Sequence, residues 1–175
     1  EYVEAGATDV IVGGAIIKTG DIRGAAENIK KSMAGAKINT DLARKYTEED
    51  LFEAFSRVST CNISDAFHKQ GVMIGIVPQS LQHRQRMVGR ALTVQTTNGD
   101  WAKPVEAIDR AKDGDVIVVD VGGAPVAVWG ELATCSAMVM GVRGIVIDGA
   151  VRDIDDIRDL GFPAFSRTVA PCAGE

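Results

Sequence analysis

The sequence predicts an α/β fold in which a largely parallel sheet is covered by helices. After residue 47, short apolar segments rich in Val and Ile alternate with longer segments of helical periodicity. Two of the apolar segments end in glycines or charged residues just ahead of a helical segment. Alternation of strand and helix is typical of parallel pairing, because each connection must cross back over the sheet. We therefore expect sites at the carboxyl ends of the strands.

The composition is that of a globular protein with no general affinity for polyanions. The 175 residues are 46% hydrophobic and 25% charged, and the net charge is -5. A chain of this charge has no global basic field, so we expect neither direct nucleic-acid binding nor a membrane surface as partner. The basic stretch 83–86 is better explained as a solvated loop. The sequence shows no leader and no long apolar span, and we expect a cytoplasmic protein.

The three cysteines predict neither a disulfide framework nor a structural zinc site. Cys61, Cys135 and Cys172 lie far apart, and none belongs to a Cys-x-x-Cys pair. We expect reduced and mostly buried thiols.

Residues 1–35 form a first predicted unit. The segment Asp9–Val12 is typical of a short buried strand, and Gly13-Gly14 end it. A helix over 22–33 follows, with Asp21 as its cap and Ala25, Ala26, Ile29 and Met33 on one face. The small and polar residues of 36–45 are expected to be a linker, and 46–175 a second domain.

The second domain is expected to contain five helices and four strands. The predicted helices are 48–57, 63–70, 101–112, 130–140 and 154–160, and the predicted strands are 90–95, 116–120, 144–148 and 163–165. A Gly122-Gly123 loop is expected after the second strand.

The first candidate site is the glycine turn at Gly13 and Gly14. Glycines allow a phosphate to approach backbone N–H groups, and a helix N-terminus favours the anion electrostatically. A tight turn without a ligand explains the same residues, and local sequence alone favours that simpler interpretation.

A resemblance supports the phosphate interpretation. The stretch AGATDVIVGGAIIKTGDIRGAAENIKKSM resembles the last strand and helix of the (β/α)8 barrel in the 3-hexulose-6-phosphate synthase and orotidine-5'-phosphate decarboxylase superfamily. The resemblance implies that Gly13 and Gly14 bind the phosphate of a sugar phosphate. It also implies fusion to a synthase that joins formaldehyde and ribulose 5-phosphate. The catalytic Asp and Lys residues of that family lie on earlier strands and are absent here.

The second candidate site is the Arg152-Asp153 pair, at the end of the strand in GIVIDGAVRDIDDI. Arginine binds carboxylates through two parallel hydrogen bonds, and aspartate suits a hard cation such as magnesium. The helix that begins near Gly130 and Glu131 offers free amides to an anion. Together these groups suit a 2-oxo acid bound beside a metal. A structural alternative is a charged strand end, with Asp153 or Asp155 capping the next helix, and physics alone slightly favours it.

Residues 46–175 resemble the RraA-like family. The stretches VSTCNISDAF, MVGRALTVQTTNGD and DGDVIVVDVGG are similar to family segments in the same order. Twenty residues separate Glu131 from Arg152-Asp153, a spacing found in the aldolase members, many of which have Asp at the first position. The family includes the regulator of ribonuclease E activity, the 4-hydroxy-4-methyl-2-oxoglutarate aldolases and related oxaloacetate decarboxylases.

The resemblance implies a role for each matching residue. Arg152 would bind the substrate carboxylate, Asp153 a divalent cation (Mg²⁺, with Mn²⁺ as the alternative), and Glu131 a water on that cation. The backbone of Gly130, Glu131, Leu132 and Ala133 would line a pyruvate pocket. The implied activity is retro-aldol cleavage of a 4-hydroxy-2-oxo diacid, or decarboxylation of oxaloacetate, with release of pyruvate. A homotrimer or hexamer is also implied.

Two other functions are open for this domain. It could be a non-catalytic regulator of a ribonuclease, or a module that only assembles oligomers of the fused synthase. The combination of Arg152, Asp153 and Glu131 favours the enzyme, because a regulator needs no metal site.

Overall fold

The structure, a computed structural model, describes residues 11–36 and 46–174. The chain divides into two compact units, Glu1–Thr47 and Glu48–Glu175. Within the described ranges, no helix is both long and apolar enough to cross a membrane.

In the residues of the first unit that the structure describes, there are two helices, α1 (Gly14–Ile17) and α2 (Ile22–Gly35). The carboxylate of Asp21 caps α2 by accepting a hydrogen bond of 2.9 Å from the Gly24 amide. The apolar face predicted for this helix is half-buried, which confirms the periodicity. The strand predicted at 9–12 is wrong in its described half: Ile11 and Val12 belong to no strand, and Ile11 is fully exposed. Residues 9 and 10 lie outside the described residues.

The second unit is built on one five-stranded sheet. Its strands are β1 (Val77–Ser80), β2 (Arg90–Gln95), β3 (Asp115–Ala127), β4 (Gly144–Val151) and β5 (Ala164–Val169). They lie in the order β1-β5-β4-β3-β2, and β2 to β5 are parallel while β1 pairs antiparallel with β5. The predicted α/β class with largely parallel pairing is confirmed.

Five helices complete this unit: α3 (Glu48–Arg57), α4 (Thr60–Ala66), α5 (Ala102–Arg110), α6 (Glu131–Val139) and α7 (Ile154–Asp159). The prediction for α3 is confirmed at both ends. The prediction of a helix over 63–70 is wrong at both ends. Ser59 Oγ accepts from the Asn62 amide at 3.1 Å, so the helix begins at Thr60. It ends before His68 and Lys69, whose positive φ angles are incompatible with a right-handed helix.

The core lies on the sheet face that packs against α5, α6 and α7. Ile117 on β3 and Ile145 on β4 are paired across the two central strands, and both are fully buried. They join one apolar cluster with Ile108 of α5, Ala137 of α6 and Ile157 of α7. Burial of this kind stabilises by about 1.5–3 kcal/mol for each large side chain. The core thus fixes the ends of β3 and β4 against the helices that follow them.

Strand β3 is longer than predicted and continues through the expected Gly122-Gly123 loop. Both glycines have positive φ angles, 67° and 77°, and the register with β4 shifts between Asp120 and Ala124. Glycine adopts these angles without the steric cost that a Cβ imposes, so the chain kinks and returns to the sheet. The consequence is functional, because residues 127–130 then run beside the end of β4. The Val128 amide donates to the Ala150 carbonyl at 3.3 Å.

Candidate active site at the ends of β3 and β4

Arg152 and Asp153 occupy the turn between β4 and α7. Asp153 is the residue that precedes α7, and its backbone is left-handed, with φ 54° and ψ 40°. Asp and Asn enter this region more readily than most residues, because their short polar side chains bond locally. The turn reverses the chain at once and leaves both side chains part-exposed, at 42% for Arg152 and 37% for Asp153.

Two hydrogen bonds join this turn to the segment that leads into α6. The Arg152 amide donates to the Trp129 carbonyl at 3.0 Å. The Glu131 amide, the first of α6, donates to Asp153 Oδ2 at 3.2 Å. Arg152 Nε lies 3.3 Å from the same oxygen. Asp153 makes no side-chain capping bond to α7. In the structural alternative, the part in which the Asp153 side chain caps α7 is therefore wrong, because this carboxylate bonds to α6, whereas the charge pair between Arg152 and Asp153 is present.

Gly130 is required by the close approach of this turn. A Cβ at Gly130 would lie 2.4 Å from Asp153 Oδ2 and 3.2 Å from both Cγ and Nε of Arg152. The φ of Gly130 is -154°, which any residue can adopt, so the requirement is one of space alone.

The charged pair opens on a cavity of about 340 Å³. Five of the residues predicted for the pocket line it, namely Gly130, Leu132, Ala133, Arg152 and Asp153. Glu131, which was also predicted to line the pocket, does not line the cavity, although its amide donates a hydrogen bond to Asp153. Trp101 and Trp129 both line the cavity, and Trp129 is buried whereas Trp101 is part-exposed.

A buried hydrogen-bond chain supports the entry to α6. Trp129 Nε1 donates to Thr134 Oγ1 at 2.8 Å, and Thr134 Oγ1 donates to the Gly130 carbonyl at 3.0 Å. That carbonyl also accepts from the Thr134 amide at 3.1 Å. Thr134 is fully buried and Trp129 nearly so. The sequence analysis did not predict these hydrogen bonds. The available signal was a Trp five residues ahead of a Thr, on either side of a helix start.

The donor set suits a cation that retains most of its waters. In the part of the chain that the structure describes, no three His, Cys, Asp or Glu side chains cluster as metal ligands do. Asp153 supplies one carboxylate beside the cavity, with Oδ2 engaged by the Glu131 amide and Arg152. Magnesium is commonly bound through one or two carboxylates while water and substrate fill its other positions. A single carboxylate of this kind is compatible with Mg²⁺ or Mn²⁺, and the described residues do not supply the ligand set of a structural zinc.

Asp100 lies next in sequence to the cavity residue Trp101 and has a perturbed carboxylate. The hydroxyl of Thr96 donates to Asp100 Oδ2 at 2.6 Å, and this bond lowers the pKa of Asp100. The Ala102 amide donates to Asp100 Oδ1 at 3.0 Å, as expected for a residue at the N-terminus of α5.

The glycine turn of the first unit shows no comparable construction. Gly13 precedes the four-residue helix α1, and a Cβ at Gly13 would meet no atom within 4 Å. The phosphate-binding role of Gly13 and Gly14 thus stays a prediction that the described geometry does not support.

The cysteines are free, as predicted, but they are not mostly buried. Cys61 and Cys172 are exposed and Cys135 is half-buried.

A second cavity, of about 640 Å³, lies at the ends of β2, β3 and β4 and contains the ion pair between Arg167 and Asp148.

Fold and site together define a class: an α/β protein with an Arg-Asp pair and a helix N-terminus converging on one cavity at the carboxyl ends of parallel strands. The family follows from comparison. The model of the RraA-like family, described as aldolase/RraA, matches residues 60–175, and the chain belongs to this family. The match begins at residue 60 rather than near residue 46.

Curated relatives have similar sequences over the same region. An uncharacterised protein of Methanocaldococcus jannaschii is 40% identical over 119 residues, which are 67% of this chain and 56% of that protein. A protein of Halalkalibacterium halodurans, provisionally named 4-hydroxy-4-methyl-2-oxoglutarate aldolase, is 36% identical over 69% of this chain and 57% of its own length. The chain thus spans little more than half the length of these two relatives.

Solved structures show the same fold. An uncharacterised protein from Pseudomonas syringae has a TM-score of 0.64 at 32% identity, over 74% of this chain and 62% of that one. The RNA-processing inhibitor RraA from Thermus thermophilus has a TM-score of 0.59 at 24% identity, over 67% of this chain and 71% of that one, a likeness of fold alone. These similarities give no support to the fused barrel predicted for residues 1–35, which stays a prediction.

Proposed function

We propose that the second unit is a divalent-metal-dependent carbon–carbon lyase that acts on a small 2-oxo diacid. The observation on which the proposal depends is the convergence of Arg152, Asp153 and the N-terminus of α6 on one cavity. The relative from Thermus thermophilus named 4-hydroxy-4-methyl-2-oxoglutarate aldolase, 31% identical over 66% of this chain and 71% of its own, supports the substrate class. The candidate substrates are 4-hydroxy-4-methyl-2-oxoglutarate and oxaloacetate.

Binding is assigned to Arg152 and the helix entry. The guanidinium holds the carboxylate next to the oxo group through two parallel hydrogen bonds, which orients the substrate as well as attracting it. Leu132 and Ala133 line the cavity, and their amides have no acceptor inside α6. They are available to negative charge that develops on the oxo oxygen.

Asp153 is the residue that would hold the cation, and Glu131 the residue that would hold a water beside it. A bound divalent cation supplies charge stabilisation to the oxo acid during bond cleavage. In the proposed cleavage the 4-hydroxyl loses its proton, the C3–C4 bond breaks, and a proton returns to C3 of the pyruvate fragment. We assign the proton transfer to Glu131, through a water that it would hold, on the basis of its spacing from Arg152-Asp153, because Glu131 itself does not line the cavity.

We further propose self-association and a cytoplasmic setting. Leu132 and Val139 on α6 are 79% and 86% exposed, more than large apolar side chains of a monomer usually are when they share one helix. A trimer or hexamer, as family membership implies, would cover such residues. Light scattering after gel filtration measures the mass directly.

Any sugar-phosphate chemistry of a fused synthase belongs to residues beyond this unit.

The test is pyruvate release by the full-length protein, which is monitored through NADH oxidation by added lactate dehydrogenase. We expect turnover with Mg²⁺ and none with excess chelator. Asp153→Asn removes the charge but keeps a side chain that tolerates the left-handed backbone. It should lower kcat/KM by about 100-fold, or about 2.7 kcal/mol. Arg152→Gln should lower kcat/KM to a similar extent.

The matched control is Asp155→Asn, two residues further on. Asp155 is 90% exposed and pairs only with Arg158 among the ion pairs of α7, so its substitution should leave turnover unchanged. Wild-type protein without turnover, or full turnover by Asp153→Asn, would contradict the proposal. Wild-type protein without turnover is also the result expected of a non-catalytic ribonuclease regulator or an oligomerisation module, so the same assay separates these functions from the lyase.

A further inference from the structure

We propose that Thr134 is a positioning residue for Asp153 and acts through the peptide unit between Gly130 and Glu131. The inference deepens the proposed function and rests on it for the role of Asp153 as the cation ligand. Thr134 itself does not line the cavity and is fully buried.

The two ends of one peptide unit make the connection. The carbonyl of Gly130 accepts from Thr134 twice, from its hydroxyl at 3.0 Å and from its amide at 3.1 Å. The N–H of the same unit, which belongs to Glu131, donates to Asp153 Oδ2 at 3.2 Å. A peptide unit is planar and rigid, so fixing its carbonyl also fixes the direction of its N–H. Hydrogen bonds accepted by the carbonyl further polarise the N–H towards the carboxylate.

Trp129 fixes the Thr134 hydroxyl in turn. Its Nε1 donates to Thr134 Oγ1 at 2.8 Å, which leaves the hydroxyl proton free to point at Gly130. The Trp129 carbonyl also accepts from the Arg152 amide at 3.0 Å. Arg152 and Asp153 are therefore both held by backbone groups on either side of Gly130. The buried Thr134 hydroxyl, together with the Thr134 amide, fixes the peptide unit that makes the second contact.

Three variants separate positioning from simple stability. Thr134→Val is nearly isosteric and removes the hydroxyl, but it leaves Trp129 Nε1 buried without an acceptor. Trp129→Phe combined with Thr134→Val removes both partners and should recover much of the lost stability. Thr134→Ser keeps the hydroxyl and serves as the conservative control.

The first measurement needs neither metal nor substrate. Amide hydrogen exchange at Glu131, followed by NMR in metal-free full-length protein, reports how firmly its N–H is held. We expect the Glu131 amide to exchange roughly tenfold faster in Thr134→Val and in the double variant, because its hydrogen bond is loosened. In Thr134→Ser the amide should exchange at the wild-type rate. The Ile147 amide, within β4, should report only the change in global stability.

The second measurement is Mn²⁺ binding, which is monitored by the decrease of the EPR signal of free Mn²⁺. Removing an outer partner of a metal ligand typically weakens affinity by about 10–100-fold, and we expect the lower figure for Thr134→Val and the double variant. Unchanged Glu131 exchange in Thr134→Val, or exchange that returns to the wild-type rate in the double variant together with its stability, would overturn the inference. Wild-type protein that binds no Mn²⁺ and releases no pyruvate would instead overturn the proposed function.

Discussion

Replacing Gly130 by alanine should damage the site by a calculable displacement. The new Cβ would lie 2.4 Å from Asp153 Oδ2, and real Cβ contacts essentially never fall below 3.0 Å. The oxygen must therefore retreat by at least about 0.6 Å, the difference between the two distances. A movement of this size lengthens the 3.2 Å bond from the Glu131 amide to Oδ2 by up to about 0.6 Å, to about 3.8 Å, which is beyond hydrogen-bonding distance.

The loss can be expressed as rate and stability. A hydrogen bond to a charged group contributes about 1.5–3 kcal/mol, and the part-exposed position of Asp153 favours the lower figure. Misplacing a reacting group by about 1 Å costs up to about 100-fold. We expect kcat/KM for pyruvate release to fall about 10–100-fold. The melting temperature should fall by about 3–6 °C, from the relation between free energy and Tm for chains of this size.

The matched control is Gly35→Ala, at the last position of α2. A Cβ there meets no atom within 4 Å, and alanine favours a helix. Both variants would be compared by the coupled pyruvate assay and by thermal unfolding. A Gly130→Ala protein whose kcat/KM stays within about twofold of wild type would refute the steric reasoning, because the 1.4 kcal/mol that corresponds to a tenfold change would then be absent.

Three further outcomes follow from the same structure. Ile147→Ala should lower the free energy of unfolding in urea by about 2–5 kcal/mol, because Ile147 is fully buried between β3 and β5. Thr96→Val should raise the pKa of Asp100 in an NMR titration. Because the pKa of Asp100 is lower in the folded protein than in the unfolded chain, its ionised carboxylate stabilises the fold at pH values above the unfolded-state pKa. The wild type should lose this stability as pH falls through the folded-state pKa. The free energy of unfolding of the variant should depend less on pH in this range. A double-mutant cycle on Arg167 and Asp148 should give a coupling energy below about 1 kcal/mol, because both are part-exposed.

The sequence predicted the elements where local pattern and tertiary pairing agree. Helix α3 and strand β2 match the predicted bounds, since α3 has acids in its first turn and β2 has six residues that pair in register with β3. Strand β1 was missed, because four residues that include Pro78 have no strand periodicity and depend on β5 for pairing. The end of β3 was predicted as a loop, since two adjacent glycines look alike in a turn and in an irregular strand.

The candidate site was predicted in its residues and not in its connections. Spacing and resemblance pointed to Arg152, Asp153 and the start of α6, which the structure brings together at one cavity. The bond from the Glu131 amide to Asp153 is a tertiary contact without a periodic signature, and the Thr134 hydroxyl behind it makes a local bond that hydrophobic periodicity does not reveal. The assigned roles of the side chains in binding and proton transfer stay predictions.

The left-handed backbone of Asp153 limits how this site could be altered by evolution or design. At φ 54° a β-branched or bulky side chain is strained, whereas Asn and Gly are accommodated. Most other residues at position 153 should therefore lower the free energy of unfolding by about 1–2 kcal/mol, before any effect on ligand binding. Changes of cation or substrate are accessible instead through the cavity wall, where Trp101 has an ordinary backbone conformation and is 47% exposed.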